Sequence, residues 1–339
     1  MYDVITIGTA TRDAFVKSPA FKVIKSPEFI TGEAECFSLG SKIKVPEIIF
    51  TTGGGATNVA VTFARQGLKT ACAVRIGDDL SGRAVIEDLK KEKIAAGFIQ
   101  KDAKKPTAYS ILLLAPSGER TVLVYRGASE DFDAKKLFKN FLKTKWVYLA
   151  PLGGAAAENF KIIADFCFKN KIKVAANLSA AQIKIGIKKL TPVLNKIDIL
   201  VLNQEEASYL TGIPYKNENK IFEALDKAVK GIVVMTKGPK GVSISDGKIK
   251  MKAGIFKEKK SADRTGAGDA FGSGFLSGLI QKTAKKGFKY GAEDLKYALR
   301  LGAANATSVI ERIGAKEGIL TKKEFLSAKR FKKLLIFKF

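Results

Sequence analysis

The sequence predicts an α/β domain on a mostly parallel central sheet, with a second, smaller β-sheet set beside it as a lid. Three observations carry this. From residue 145 onward, short apolar runs alternate with amphipathic stretches, the pattern of parallel strands joined by crossover helices. Two segments, about 14–52 and 107–128, break the alternation and read as strands and turns. No long linker and no internal repeat interrupts the 339 residues, a length that one large α/β domain fills.

Taken in order, YDVITIGTA (2–10) is a short apolar run ending in Gly and Thr and reads as a buried strand. Residues 13–50 have poor helical periodicity and fit short strands. GGGATNVAVTFARQG (53–67) turns from a Gly-rich loop into a helix, and KTACAVRIG (69–77) reads as a strand. SGRAVIEDLKKEK (81–93) reads as a helix with Ser81 as its N-cap. TAYSILLLA (107–115) and RTVLVYRGA (120–128) are strands around the turn PSGE. Strand KWVYLAP (145–151), helix AAENFKIIADFCFKN (156–170) and strand KVAANLS (173–179) begin the regular alternation. Strand DILVLN (198–203), helix QEEASYLTG, strand GIVVMTKG (231–238) and the hairpin-like GVSISDGKIKM (241–251) continue it. Helices dominate from 266 to about 312.

Composition narrows the function. Hydrophobic residues make up 46%, which suits a globular chain. No apolar run approaches the ~20 residues of a membrane span. The first residues lack the basic and apolar regions of a signal peptide, so a cytoplasmic protein is expected. Cys36, Cys72 and Cys167 are widely spaced and read as buried free thiols. With no histidine in the chain, His-based triads and His metal sites are excluded. The formal charge of +26 raises nucleic acid as a partner. The lysines, however, are scattered over amphipathic segments and no nucleic-acid motif accompanies them, so a solvated basic surface is the simpler reading.

Chemistry concentrates in SADRTGAGDAFGSGF (261–275). A parallel sheet binds its ligand at the carboxyl ends of its strands. A helix N-terminus placed there offers open N–H groups that suit phosphate. Gly266 and Gly268 let the backbone approach an anion. Asp269 then stands at the mouth of an anion hole, able to take the proton of an attacking hydroxyl. A plain helix cap is the alternative. GGGATN (53–58) is a second Gly-rich helix entry, where Asn58 can bond sugar hydroxyls. LNQEEASYLTG (202–212) places Asn203 and Glu206 at N-x-x-E spacing after a strand. That glutamate can hold Mg²⁺ through water, or the pair can simply cap a helix.

Together and in this order, the three stretches resemble the ribokinase-like (PfkB-type) carbohydrate and nucleoside kinases, to about residue 318. Gly53, Gly54 and Asn58 match the Gly-Gly-x-x-x-Asn element, and Asn203 and Glu206 the N-x-x-E. Asp263, Gly266, Ala267, Gly268 and Asp269 match the Asp-x-x-Gly-Ala-Gly-Asp signature. The resemblance implies a three-layer sandwich with its lid inserted in a kinase domain of residues 1–320, followed by a basic helix or tail at 321–339.

It also implies roles. Asp269 would be the base, and the backbone from Gly266 to Asp269 the anion hole. Asp13, at the end of the first strand, would bind sugar hydroxyls beside Gly53, Gly54 and Asn58. Asn177, Asn203, Thr236, Gly238, Gly241 and Asn305 would line the nucleotide. Glu206 would organise Mg²⁺. Asp263 and Thr265 lie where many members bind a monovalent cation, K⁺. Arg126, in the second lid strand, can meet an anionic sugar acid or phosphosugar, or stand exposed. Two departures weigh against ribose: Ala150, Pro151 and Leu152 replace an acidic residue, and GGGATN has no lysine.

The expected activity is ATP-dependent phosphorylation of a sugar, sugar derivative or nucleoside. The alternatives are an adenosine-type nucleoside kinase, with FKVI (21–24) and EIIF (47–50) to sandwich a base, and a non-catalytic sugar or nucleotide sensor. The expected partners are a small-molecule substrate and a second copy of the chain through the lid, with no membrane. The C-terminal KKEFLSAKRFKKLLIFKF is expected to pack as a last helix, with a membrane-surface or partner contact as the alternative.

Overall fold

Why the molecule has three layers is visible in the alternation of its strands. A computed structural model describes residues 1–29, 32–115 and 120–338. Strands β1 (Tyr2–Ile7) and β2 (Thr11–Lys17) lead to the short ribbon β3 (Lys22–Lys25) and β4 (Glu33–Cys36). Next come β5 (Glu47–Gly53), helix α1 (Gly55–Arg65), β6 (Thr70–Ala73), β7 (Arg75–Gly77) and α2 (Leu80–Lys91). They are followed by β8 (Gln100–Asp102), β9 (Ala108–Leu114), β10 (Arg120–Tyr125) and the single turn α3 (Phe138–Phe141). The regular part comprises β11 (Thr144–Leu149), α4 (Asn159–Lys169), β12 (Lys173–Asn177), α5 (Ala180–Ile185), α6 (Ile187–Leu194) and β13 (Ile199–Asn203). It continues with α7 (Gln204–Thr211), α8 (Glu218–Ala228), β14 (Ile232–Thr236), β15 (Val242–Ser245) and β16 (Lys250–Ala253). Helices α9 (Ala267–Thr283), α10 (Ala292–Ile310) and α11 (Lys322–Ser327) precede a last strand, β17 (Ile336–Lys338).

Among the described residues nine strands form the main sheet, in the order β17-β16-β15-β14-β13-β12-β11-β1-β6. The run from β14 to β6 is parallel, and β15 to β17 are antiparallel. Successive side chains point to opposite faces. Ile5, Val147, Val174, Leu200 and Val233 therefore pack with Phe160, Ile163, Leu194, Phe222 and Leu225 of α4, α6 and α8. Their neighbours Val4, Trp146, Tyr148, Val201 and Val234 pack on the other face with Phe63, Phe275, Leu279 and Leu299 of α1, α9 and α10. The three-layer α/β/α sandwich follows directly.

The smaller sheet has the order β10-β9-β2-β5. Its β2 is antiparallel to β5 and parallel to β9. It begins at Thr11, so Asp13 lies within the lid sheet and not at the end of β1. The PSGE turn at 116–119 lies outside the described residues.

Other differences have local causes. KTACAVRIG divides at Val74, so that β6 joins the main sheet while β7 pairs with β8. Asp79 caps α2 in place of Ser81, because its carboxylate reaches the Gly82 amide at 2.7 Å. Helices α5, α6 and α8 were not expected, although α8 buries Ile221, Phe222, Leu225 and Ala228 at helical spacing. The first two have six and eight residues, parted by Gly186 at φ 81°, and α6 contains Pro192. Cys36 is only half-buried, while Cys72 and Cys167 are buried.

The C-terminal stretch is a short helix that returns as a strand. Phe325 and Phe331 are buried in the core against α10 and the antiparallel edge, and β17 extends that edge. Among the described residues no helix is long and apolar enough to cross a membrane.

Candidate active site

The site forms where α9 begins. Gly266 adopts φ 78°, ψ 0°, a left-handed conformation that glycine takes without strain. A Cβ there would also lie 2.6 Å from the Ala315 Cβ. The helix has no side-chain cap; the Ala267 amide donates to the Arg264 carbonyl at 3.3 Å, while the next N–H groups of the first turn remain open. Ala267 and Gly268 line the cleft in front of them. Asp269 lies in this first turn, and its Oδ2 accepts a 2.9 Å hydrogen bond from Asn58 Nδ2. Burial pushes the Asp269 carboxyl up to about 6, and the Asn58 bond offsets only part of that.

The start of α1 faces it. A Cβ at Gly53 would lie 1.9 Å from Asp13 Oδ2, and one at Gly55 would lie 3.8 Å from Asp269 Oδ1. The two carboxylates therefore flank one glycine turn, with Gly54 between them as the N-cap of α1. Asp13 pairs across the lid sheet with Thr51 and Ser110. Burial raises its carboxyl, against hydrogen bonds from Thr11 and Ser110 and the charges of Lys316 and Arg12. Asp13 Oδ1, Thr51 Oγ1 and Asn58 Oδ1 are buried without a partner. Unpaired buried polar atoms are costly, and hydroxyl groups of a ligand can satisfy all three.

On the other side of α9 lies a cleft of about 210 Å³ lined by Thr236, Gly241, Phe271, Ala303, Thr307 and Ile310 among others. Asn177, Asn203 and Thr236 are the last residues of β12, β13 and β14, so the sheet aligns them along its carboxyl edge. Asn177 is held by Tyr148, whose hydroxyl donates to its Oδ1 at 2.5 Å. Gly238 and Gly241 line the cleft. Asn203 and Glu206 form a reciprocal capping box, with bonds of 2.8 Å each way. Burial, with Glu205 nearby, raises the Glu206 carboxyl against the Asn203 bond.

Asn305 is displaced from the expected role. It is fully buried and faces away from the cleft, bonded to Thr62, Ala270 and the Leu320 amide. The α10 side chains that do reach the cleft include Ala303, Ala306, Thr307 and Ile310. Arg126 follows β10 and is exposed, with its guanidinium over Gly153. Asp263 is buried and bonded to Thr265 and Gly314.

Thr51 and Tyr148 were not among the expected site residues. Each sits in an apolar run, and the available signal was a polar side chain at a sheet position where the pattern calls for an apolar one.

An open helix N-terminus, a desolvated carboxylate in its first turn and adjoining pockets define a phosphate-handling α/β enzyme. The pfkB family carbohydrate kinase model matches residues 28–322, and the chain belongs to that family, whose members are phosphotransferases. Its sequence is 27% identical to the ribokinase of Haemophilus influenzae over 285 residues, 81% of this chain and 86% of the relative. Its fold is similar to Arabidopsis thaliana ribokinase complexed with ribose and ATP, at a TM-score of 0.78 and 22% identity over 98% and 99% of the two chains. It is also similar to the Methanocaldococcus jannaschii nucleoside kinase, at 0.74 and 22% over 98% of each.

The raised Asp269 carboxyl sets a stability test. A folded value near 6 against 3.8 for the free group means that the charged form destabilises the fold above pH 6, by about 3 kcal/mol at most. The penalty fades as pH falls from 6 towards 4. Asp269→Asn lacks it, so urea denaturation is expected to show the variant more stable than wild type at pH 8, with the gap closing by pH 4. A constant gap would mean that Asp269 is not desolvated.

Proposed function

We propose that the chain is an ATP-dependent kinase that phosphorylates a hydroxyl of a sugar, sugar derivative or nucleoside, with Asp269 as general base. The observation that carries this is Asp269 itself: a carboxylate of raised proton affinity, in the open first turn of α9, beside three unpartnered buried polar atoms. The acceptor lies under the lid against Asp13, Thr51 and Asn58. Its hydroxyl oxygen attacks the terminal phosphorus of ATP, the bond to the leaving ADP oxygen breaks, and the hydroxyl proton passes to Asp269. The first-turn amides from Gly266 to Asp269 face the charge on the transferring group, where positioned donors act most strongly.

The mostly apolar cleft with Thr236, Gly238 and Gly241 suits a flat base, and Asn177 and Asn203 lie along the path from it. Glu206 Oε2 is taken by the Asn203 amide. Among the described residues no three acidic or sulfur ligands cluster for a metal. Glu206 therefore fits Mg²⁺ held through water and phosphate oxygens. Such an ion would neutralise phosphate charge.

A nucleoside acceptor has a specific feature in its favour. Phe15, Ile49, Leu114 and Ile313, with Lys17 and Glu47 at the same lining, form a pocket of about 160 Å³ and mixed polarity on the Asp13 face of the lid, whose apolar side chains can pack on a base. Of FKVI and EIIF, Ile49 reaches this face, while Val23, Ile24, Ile48 and Phe50 are exposed. The opposite lid face presents Phe50, Ile111 and Leu123 in one cross-strand row, 50%, 38% and 53% exposed. That row supports a homodimer through the lid.

Coupled ADP-release assays over sugars, sugar acids, phosphosugars and nucleosides are expected to give a substrate-dependent signal. Asp269→Asn should lower kcat roughly 10²–10⁴-fold. In the wild type kcat/KM should fall on the acid side with a limb near pH 6. A variant with near-normal turnover would remove Asp269 as the base. Thr51→Val should raise the acceptor KM roughly tenfold, the loss of one hydrogen bond, with kcat little changed. An unchanged KM would place the acceptor elsewhere. Leu123→Lys should shift sedimentation from dimer to monomer, and a monomeric wild type at all concentrations would reject the lid dimer.

A further inference from the structure

Asp263 carries negative charge into a place that water does not reach, since its side chain is 1% exposed. Its Oδ1 accepts from the Thr265 amide at 2.9 Å and the Thr265 hydroxyl at 2.7 Å. Its Oδ2 accepts from the Gly314 amide at 3.1 Å. Those three donors leave about one of the roughly four lone-pair directions of a carboxylate. Those hydrogen bonds stabilise the carboxylate, and a cation beside a buried charge stabilises it further.

Among the described residues, the cation within 4 Å of it is Arg120, whose Nε lies 3.9 Å from Oδ1. That Nε is itself buried and without a hydrogen-bond partner. The two residues belong to different parts of the fold. Arg120 opens β10, an outer strand of the lid sheet. Asp263 begins the turn that ends in the open helix N-terminus. It fixes that turn through Thr265, and through Gly314 it fixes the segment whose Ala315 packs on Gly266. A monovalent metal expected at Asp263 and Thr265 does not fit this arrangement, because protein donors and a guanidinium already surround the carboxylate.

We infer that Arg120 is the resident cation of Asp263, a positioning residue that holds the turn into α9 in place of a monovalent metal ion. Because Arg120 rides on the lid, the counter-charge arrives only when the lid lies on the body. The anion-hole turn is thereby coupled to lid closure. The inference rests on the kinase reading for one of its two readouts.

The test compares full-length wild type, Arg120→Ala and Arg120→Lys in potassium chloride and in tetramethylammonium chloride at equal ionic strength. A third arm adds guanidinium chloride below denaturing concentrations. Melting temperature is read first and kcat second. Wild type and Arg120→Lys are expected to be indifferent to the exchange in both readouts. Arg120→Ala is expected to lose roughly tenfold in kcat and to recover melting temperature and kcat with K⁺ or guanidinium. A wild type stabilised or activated by K⁺ overturns the inference, as does an Arg120→Ala protein indifferent to both cations. If Arg120→Ala does not fold, the wild-type melting comparison decides. If no acceptor gives turnover, the kinase reading has failed and melting still decides for Arg120.

Discussion

The site depends on one constraint: the first turn of α9 must stay open while lying against the sheet. Tyr148 shows how close that approach is. Its hydroxyl bonds Asn177 at the sheet edge, and a Cβ at Gly272, one turn into α9, would come within 2.5 Å of it. The helix can seat its N-terminus at the ends of β11 and β12 because a glycine faces that hydroxyl. The left-handed Gly266 then turns the incoming chain so that no side chain caps the helix. Residues that would stabilise an isolated helix start, Ser or Asp at the N-cap, would cover these donors. Stability is given up at this turn and recovered in the apolar contacts of α9 and α10.

Two effects act on Asp269 in opposite directions, and their sizes decide the outcome. A helix N-terminus favours a carboxylate by ~0.3–2 kcal/mol. Desolvation moves the carboxyl from 3.8 to about 6, a net cost of roughly 3 kcal/mol to the charged form. Burial wins, and the carboxyl holds its proton to higher pH than a free aspartate, as the proposed role of general base requires. Asn58 fits this balance, since it supplies one hydrogen bond, enough to orient the carboxylate without quenching its basicity. The same logic applies to Asp13, whose burial is only partly offset by Thr11 and Ser110.

The elements most legible in the sequence were those in which local pattern and final role coincide. The small-residue turn before Asp269 lies at the head of α9, where its spacing places it. Asn177, Asn203 and Thr236 each end an apolar run, and a parallel sheet brings such ends together. What was not legible depends on contacts between distant segments. Asn305 looks like a polar residue on a helix lining a pocket, but a small rotation about the axis points it at Thr62 and Ala270. Asp13 reads as the end of the first strand because a strand break at 8–10 is brief, while pairing with β5 and β9 places it inside the lid. The Arg120–Asp263 pair joins residues 143 apart in the chain, and neither sits in a pattern that names the other.

The charge of +26 has a role that the site itself limits. Surface lysines farther than ~10 Å from a ligand are largely screened at ordinary salt, so they raise the encounter rate of an anionic nucleotide and not its bound affinity. Within the cleft the charged side chains are few, with Glu258 and Arg264 both at its lining. The fixed dipoles at the head of α9 hold their orientation whatever the salt, which suits the phosphate-binding role proposed for them. Lys316 is a further cation kept from direct use, since Thr52 and Asp88 each hold its ammonium at 2.7 Å behind the lid strand that carries Thr51. It braces the strand entering Gly53. Basic groups that remain free of such a brace include the exposed Arg126 above Gly153 and Lys17, which lies on the same face of the lid sheet as Asp13.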